Sequence, residues 1–214
     1  MNLVGSYVQI VGRLDRRRRQ ANSILADVSL TPWERRFLTE SLVSNVWLDW
    51  STFVKQVFVA SCNGSPTRSG TYVTPRAVLD NSEPRIRHEI SSIYRNRNSV
   101  PGHVDIGKSE PTWADAWKIV TYINGLAPSN AATLLSAFGA GNLTGTKRVH
   151  LVRNACAHKS RYNRTEVSQL RATYITDHYL DPVDIAWGIN LATNGIAIYE
   201  WLSDMEIMAD IATS

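Results

Sequence analysis

The stretch Val149-His150-Leu151-Val152-Arg153-Asn154-Ala155-Cys156-Ala157-His158 sets three apolar residues just ahead of an Arg-Asn pair and a His. Apolar residues at this density, with no glycine or proline among them, predict a helix from about Thr144 or Thr146 to about His158. Lys159, Ser160 and Arg161 then belong to its last turn, and Asn163 is its stop. The helix delivers a guanidinium, an amide and an imidazole to its C-terminal end. Asn154 and His158 share a face, whereas Arg153 and His158 stand about 140° apart on a straight helix. The two converge only if the helix terminates at the motif or a second protomer completes the site.

Outward from this stretch the pattern stays helical. Tyr7, Val11, Leu14, Ala21, Leu25 and Val28 mark an amphipathic helix over residues 5–28, its stripe interrupted by Arg18 within the run Arg16-Arg17-Arg18-Arg19. Thr31-Pro32-Trp33-Glu34 is a capping box with Pro at the first helical position. It opens an apolar stripe from Trp33 and Phe37 through Trp50 and Phe58 to about Ala60. Residues 62–111 break the periodicity with glycines and prolines and read as a roughly fifty-residue irregular insertion. Within it, Ser82-Glu83-Pro84 opens a short helix presenting Ile86, Ile90, Ile93 and Tyr94, and Thr71-Tyr72-Val73-Thr74 suggests a short strand. Thr112 is expected to cap a helix running to Gly125, and Pro128-Ser129 to start another that ends at Phe138-Gly139. Asn163 is expected to cap a short helix through Leu170 as well, and Asp181-Pro182-Val183-Asp184 a long last helix through Met205. With no convincing strand, the fold class is all-α: an antiparallel helical bundle carrying one insertion, in a single domain over residues 1–214.

Composition narrows the function classes. The apolar runs are too short for a transmembrane helix, so no membrane partner is expected. Apolar residues precede the first basic run, the reverse of secretory signal order. Cys62 and Cys156 form no disulfide or metal framework, which makes a cytoplasmic setting the default. Residues 1–171 carry a balance of +11, and residues 172–214, with seven acids and no Lys or Arg, carry −7. A basic body suits a phosphate-rich partner, and an internal pairing of the two regions explains the same asymmetry. Arg16 to Arg19 are accordingly either a nucleic-acid backbone patch or partners of the acidic segment.

Other chemistries fall away. The loop from Gly139 to Arg148 lacks the phosphate-loop spacing and no strand precedes it. His88, His103, His150 and His178 show no zinc-ligand spacing, and His103 with Asp105 reads as a solvated loop. Cys156 has no base beyond His158. No metal and no cofactor are expected. What remains is phosphodiester chemistry. A helix C-terminus favours protonated His158, while Arg153, Lys159 and Arg161 oppose it, a balance that suits general acid–base work. Arg153 would neutralise phosphate oxygens, and Asn154 would orient the His or donate to phosphate. The bland counterpart is an Arg in a salt bridge and a His capping the last carbonyls.

The run Arg153-Asn154-Ala155-Cys156-Ala157-His158 resembles the Arg-x(4–6)-His signature of the HEPN superfamily, in which a polar residue commonly follows the Arg. That resemblance implies a small α-helical bundle, frequently dimeric, and a metal-independent ribonuclease of toxin–antitoxin, CRISPR or anti-phage systems. It implies Arg153 and His158 as the catalytic pair, Asn154 as the motif's polar residue, and a composite site on a two-fold axis. One subclass carries a modifiable Tyr two residues after the His, where this chain has Ser160.

RNA is thus the expected partner, with a homodimer and an antitoxin or defence protein as further ones. Lys147, Arg148, Lys159 and Arg161 are the candidate backbone contacts. The competing expectations are a non-catalytic HEPN-like module that binds RNA or protein, and a helical subunit whose basic and acidic ends merely pair.

Overall fold

Thr31 and Glu34 form the capping box that the sequence announces: the Glu34 carboxylate accepts the Thr31 N–H at 2.8 Å, and Thr31 Oγ1 accepts the Glu34 N–H at 3.3 Å. The computed structural model describes residues 2–78, 80–95, 111–115, 117–158 and 160–214, with only the backbone of Tyr94 and Arg95. Lys159, His103 and Asp105 therefore lie outside the described residues.

The described residues are mostly helical, in keeping with the all-α expectation. In chain order the helices are α1 (Leu3–Ala26), α2 (Pro32–Asn63), α3 (Glu83–Arg95), α4 (Ile119–Leu126), α5 (Ala131–Phe138), α6 (Gly145–His158), α7 (Arg161–Gln169) and α8 (Ala197–Thr213). Two antiparallel hairpins of two-residue strands interrupt them: β1 (Ser65–Pro66) with β2 (Tyr72–Val73), and β3 (Tyr174–Ile175) with β4 (Ile189–Asn190). The expectation of no convincing strand is corrected to that extent.

The chain packs as two compact units. One comprises Met1–Ile10, Ser51–Gly141 and Ile207–Ser214. Its core gathers Leu3, Phe53, Phe58, Ile86, Ile90, Trp113, Tyr122 and Ile123, with the Phe58 ring 6.2 Å from Trp113 and 6.4 Å from Tyr122. Much of the span read as an irregular insertion belongs to this core. Ile86 and Ile90 of α3 are buried, and α4 brings Gly125 against Ile93 so closely that a Cβ there would collide with it. The hairpin β1–β2 is anchored by Ser65 Oγ, which accepts the Leu3 N–H at 2.8 Å.

The other unit comprises Val11–Trp50 and Asn142–Glu206. Its core is built from Leu14, Leu42, Val46, Trp50, Val149, Val152, Tyr174, Ile185, Trp201 and Leu202. Within α1 the buried stripe ends on Ala21 and Ile24, and Leu25 and Val28 are exposed. The four-residue step from Ala21 to Leu25 overshoots the buried face, and α1 stops at Ala26. Trp33 and Phe37 are exposed and stack on each other at 5.6 Å, so the α2 stripe becomes core only beyond them.

Three expected boundaries are corrected. Thr112 does not open a helix; turns precede α4, and Asp115 Oδ1 accepts the Trp117 N–H at 3.1 Å. Ser160, not Asn163, caps α7, its hydroxyl accepting the Asn163 N–H at 3.2 Å. The long last helix is two elements. Asp181 and Asp184 do form a capping box, but it opens a 3-10 turn over Pro182–Trp187. Gly188 is extended there, β4 pairs with β3, Asn194 adopts φ 58°, and only then does α8 begin. A Cβ at Gly188 would lie 2.8 Å from the Tyr174 Cβ, so this close approach requires glycine.

The charge asymmetry resolves partly into internal pairs. Within the second unit Arg18 meets Glu206 at 2.6 Å, and Arg36 meets Asp184 at 3.2 Å. Within the first, Arg68 pairs with Asp210. Arg17 is bound to Asp49 at 2.8 Å. Two of the four consecutive arginines are thereby engaged, and Arg16 and Arg19 are exposed. Pairs this accessible stabilise by about 1 kcal/mol or less each.

Candidate active site and nucleic-acid interface

α6 forms because Val149, Val152 and Ala155 recur every third residue and are fully buried, which presses one face of the helix into the core. At its start, Gly145 sits directly on the α8 backbone: a Cβ would lie 2.5 Å from the Trp201 carbonyl oxygen. The Gly145 N–H donates to Asp204 Oδ2 at 2.8 Å, so a carboxylate caps the positive end of the helix from outside it. His150 stacks on Trp47 with ring centroids 4.4 Å apart, a packing role.

The motif lies at the other end. α6 runs without interruption to His158, and Ser160 caps α7, which starts at Arg161. Asn163 closes this corner twice, with its N–H on Ser160 Oγ and its Nδ2 donating to the Asn154 carbonyl at 3.4 Å. Arg153 Nη1 donates to Asn154 Oδ1 at 3.0 Å. Both are half-buried, and His158 is exposed, without a hydrogen bond or ion pair to any described residue. The structure thus joins Arg153 to Asn154 and does not join Arg153 to His158. The unbroken helix accounts for this, since five residues rotate the two side chains about 140° apart.

The candidate backbone contacts separate. Lys147 is half-buried. Arg148 donates to the Tyr174 hydroxyl, and its guanidinium lies 5.0 Å from that ring's centre, so it belongs to a polar cluster at the start of α6. Lys159 lies outside the described residues. Arg161 is exposed on α7 and has no acidic partner among the described residues.

Sequence reasoning missed the cluster around Tyr174. The buried Tyr174 hydroxyl accepts from Trp201 Nε1 at 3.1 Å and donates to Glu200 Oε2 at 3.3 Å. Glu200 also accepts from Asn190 Nδ2 at 2.7 Å and from the Thr193 hydroxyl. Burial pushes the Tyr174 hydroxyl up from its ordinary value, against the lowering by its Trp201 bond and by Arg148. Burial likewise raises the Asp204 carboxyl, against the backbone N–H groups of Gly145 and Thr144. Arg148, Glu200 and Asp204 line a cleft of about 480 Å³. Residues so far apart in the chain offered no local spacing to find them by.

A second cleft, of about 450 Å³, lies along α7 between Arg161, Arg164 and Tyr179. The helical spacing of Arg161, Arg164 and Ser168 was visible in the sequence; the approach of Tyr179 was not. For metal ions, Glu40, Cys156 and Asp181 bring two carboxylates and a thiol within 4.8 Å of one another. Such donors suit zinc, and Asp181 is meanwhile used by the Val183 N–H at 3.2 Å. No helix among the described residues is long and apolar enough to cross a membrane.

No protein-family model matches the chain, and no curated protein or solved structure is significantly similar to it.

Proposed function

We propose that this protein is a HEPN-like helical bundle acting as a metal-independent endoribonuclease, working as a cytoplasmic homodimer in a toxin or anti-phage defence setting. The observation that carries the proposal is the end of α6. There one helix end carries an Arg153–Asn154 hydrogen-bonded pair and an exposed His158, on diverging faces, with Asn163 tied to the Asn154 carbonyl. RNA brings its own nucleophile. The 2′-oxygen would attack phosphorus while its proton passes to a base, the P–O5′ bond would break, and the 5′-oxygen would take up a proton. The products are a 2′,3′-cyclic phosphate and a 5′-hydroxyl. His158 is free to move those protons, and Arg153 to stabilise the doubly charged phosphorane. Because Arg153 and His158 point apart within one chain, a second copy would complete the site.

The test is cleavage of end-labelled RNA with chelator present. Wild-type protein should yield cyclic-phosphate ends, and His158→Ala and Arg153→Ala should abolish cleavage while keeping the wild-type circular dichroism spectrum. Equal cleavage by wild type and His158→Ala refutes the assignment. The divergence of Arg153 and His158 also favours a second reading, a non-catalytic HEPN-like module that binds RNA or a protein partner. Salt-sensitive RNA binding without any cleavage would be its signature.

A further inference from the structure

We infer that the cleft along α7 is a binding subsite for a nucleotide of single-stranded RNA, with Arg161 and Arg164 holding phosphate and Tyr179 offering a stacking face to the base. The inference rests on the RNA proposal above and adds the residues that would hold the strand beside the motif.

The two arginines of the cleft carry no ion pair among the described residues. Arg161 and Arg164 lie three residues apart on the exposed side of α7, one turn from each other, so both guanidinium groups reach the same cleft. Neither makes an ion pair with a described residue, whereas Arg17, Arg18, Arg36, Arg68 and Arg76 all do. No acid is among the residues that line the cleft. Asp181 and Asp184, whose charges act on Tyr179, have hydrogen-bond partners of their own. Asp184 accepts the N–H groups of Leu180 and Asp181, both at 2.8 Å, and pairs with Arg36; Asp181 holds the Val183 N–H.

The rest of the lining suits a nucleotide better than a bare anion. Thr165 and Ser168 spend their hydroxyl protons on the carbonyls of Arg161 and Thr165, at 2.9 and 2.7 Å. Both residues line the cleft, and a hydroxyl that has donated its proton can still accept from a base amine or a ribose hydroxyl. Tyr179 is half-buried, and Arg171 covers one of its faces, its guanidinium 5.1 Å from the ring centre. Sequence-tolerant single-strand binders stack bases on aromatic rings and add cation–π contributions from Arg, and Tyr179 with Arg171 supplies both groups. A volume near 450 Å³ lies within the common range for small-ligand sites. The place is apt as well, since α7 packs on α6 and Arg161 follows His158 by only three residues. RNA presenting a phosphate to His158 would run directly onto α7.

The experiment measures a fluorescein-labelled oligouridylate binding to full-length His158→Ala protein by anisotropy across a salt series. In that background, Arg161→Gln with Arg164→Gln should weaken binding at least about tenfold and flatten the log–log salt slope by about 1.4, near 0.7 per lost phosphate contact. Tyr179→Leu should weaken binding about tenfold and leave the slope unchanged. Circular dichroism checks that each variant folds; the glutamines are exposed and keep α7 helix-compatible. An unchanged affinity and slope in the double glutamine variant overturns the subsite, even if the wild type cleaves RNA. Binding lost in that variant while the wild type never cleaves upholds the subsite and overturns the catalytic proposal instead.

Discussion

Tyr174→Phe removes one oxygen from a polar group with three hydrogen-bond partners in the second unit. Three partners are affected. The Trp201 indole N–H, 3.1 Å away, loses its acceptor inside a side chain with no solvent exposure, so it cannot turn to water. An orphaned buried donor costs about 1–3 kcal/mol. Glu200 loses the longest of its bonds, at 3.3 Å, and keeps Asn190 and Thr193, a loss of roughly 0.5 kcal/mol or less. Arg148 is half-buried and retains the ring face, so its loss is small. The sum is about 2 kcal/mol, against which no cavity forms because the ring remains. For a chain of this size that lowers Tm by roughly 4–8 °C. Urea denaturation followed by tryptophan fluorescence would measure it directly. A stability within about 0.5 kcal/mol of wild type would show that the Trp201 donor has another partner, contrary to this expectation. RNA cleavage below the melting transition should be unchanged. Arg148 lies ten residues before His158 along one helix, roughly 15 Å at 1.5 Å per residue, so the cluster supports stability and not the chemistry.

Two further perturbations test the same unit. Gly145→Ala places a methyl 2.5 Å from the Trp201 carbonyl oxygen and 2.7 Å from its Cα; neither is a flexible side chain, so denaturation should show a loss of about 1–3 kcal/mol. Asp204→Asn tests the half-buried carboxyl through pH. Folded Asp204 keeps its proton to a higher pH than the ordinary 3.8, so wild-type stability falls as pH rises from there through the raised value. The Asn variant lacks that loss, and its Tm relative to wild type should climb over the same window; a pH-independent difference would show that the carboxyl is not desolvated.

Local rules carried the helices a long way. A Thr-Pro-Trp-Glu run places both the cap and the first turn of α2 without reference to the rest of the chain, because the groups that satisfy each other are three residues apart. The same logic located Asp181 as a cap but misjudged what it opens. Ile185, Ile189 and Ile196 recur as a helical stripe would, yet Ile189 lies in β4 and is half exposed. The β3–β4 pairing and the contact of Gly188 with Tyr174 outweigh the local preference there. In α1, Ala21 and Ile24 rather than Leu25 and Val28 finish the buried face, a choice that depends on where the helix stops.

For this chain, short-range information settled the mostly helical class, the capped starts of α2 and of the Pro182–Trp187 turn, and the delivery of Arg153, Asn154 and His158 by a single helix end. Tertiary structure decided which arginines are engaged and which are free. It turned Arg148 towards Tyr174, bound Arg18 to Glu206, and left Arg161 and Arg164 facing a cleft with Tyr179. The physical reason is common to all of these. Backbone caps and helical periodicity are satisfied within one or two turns, whereas a guanidinium reaches for whatever acid, hydroxyl or ring the fold brings beside it, and that neighbour comes from a distant part of the chain.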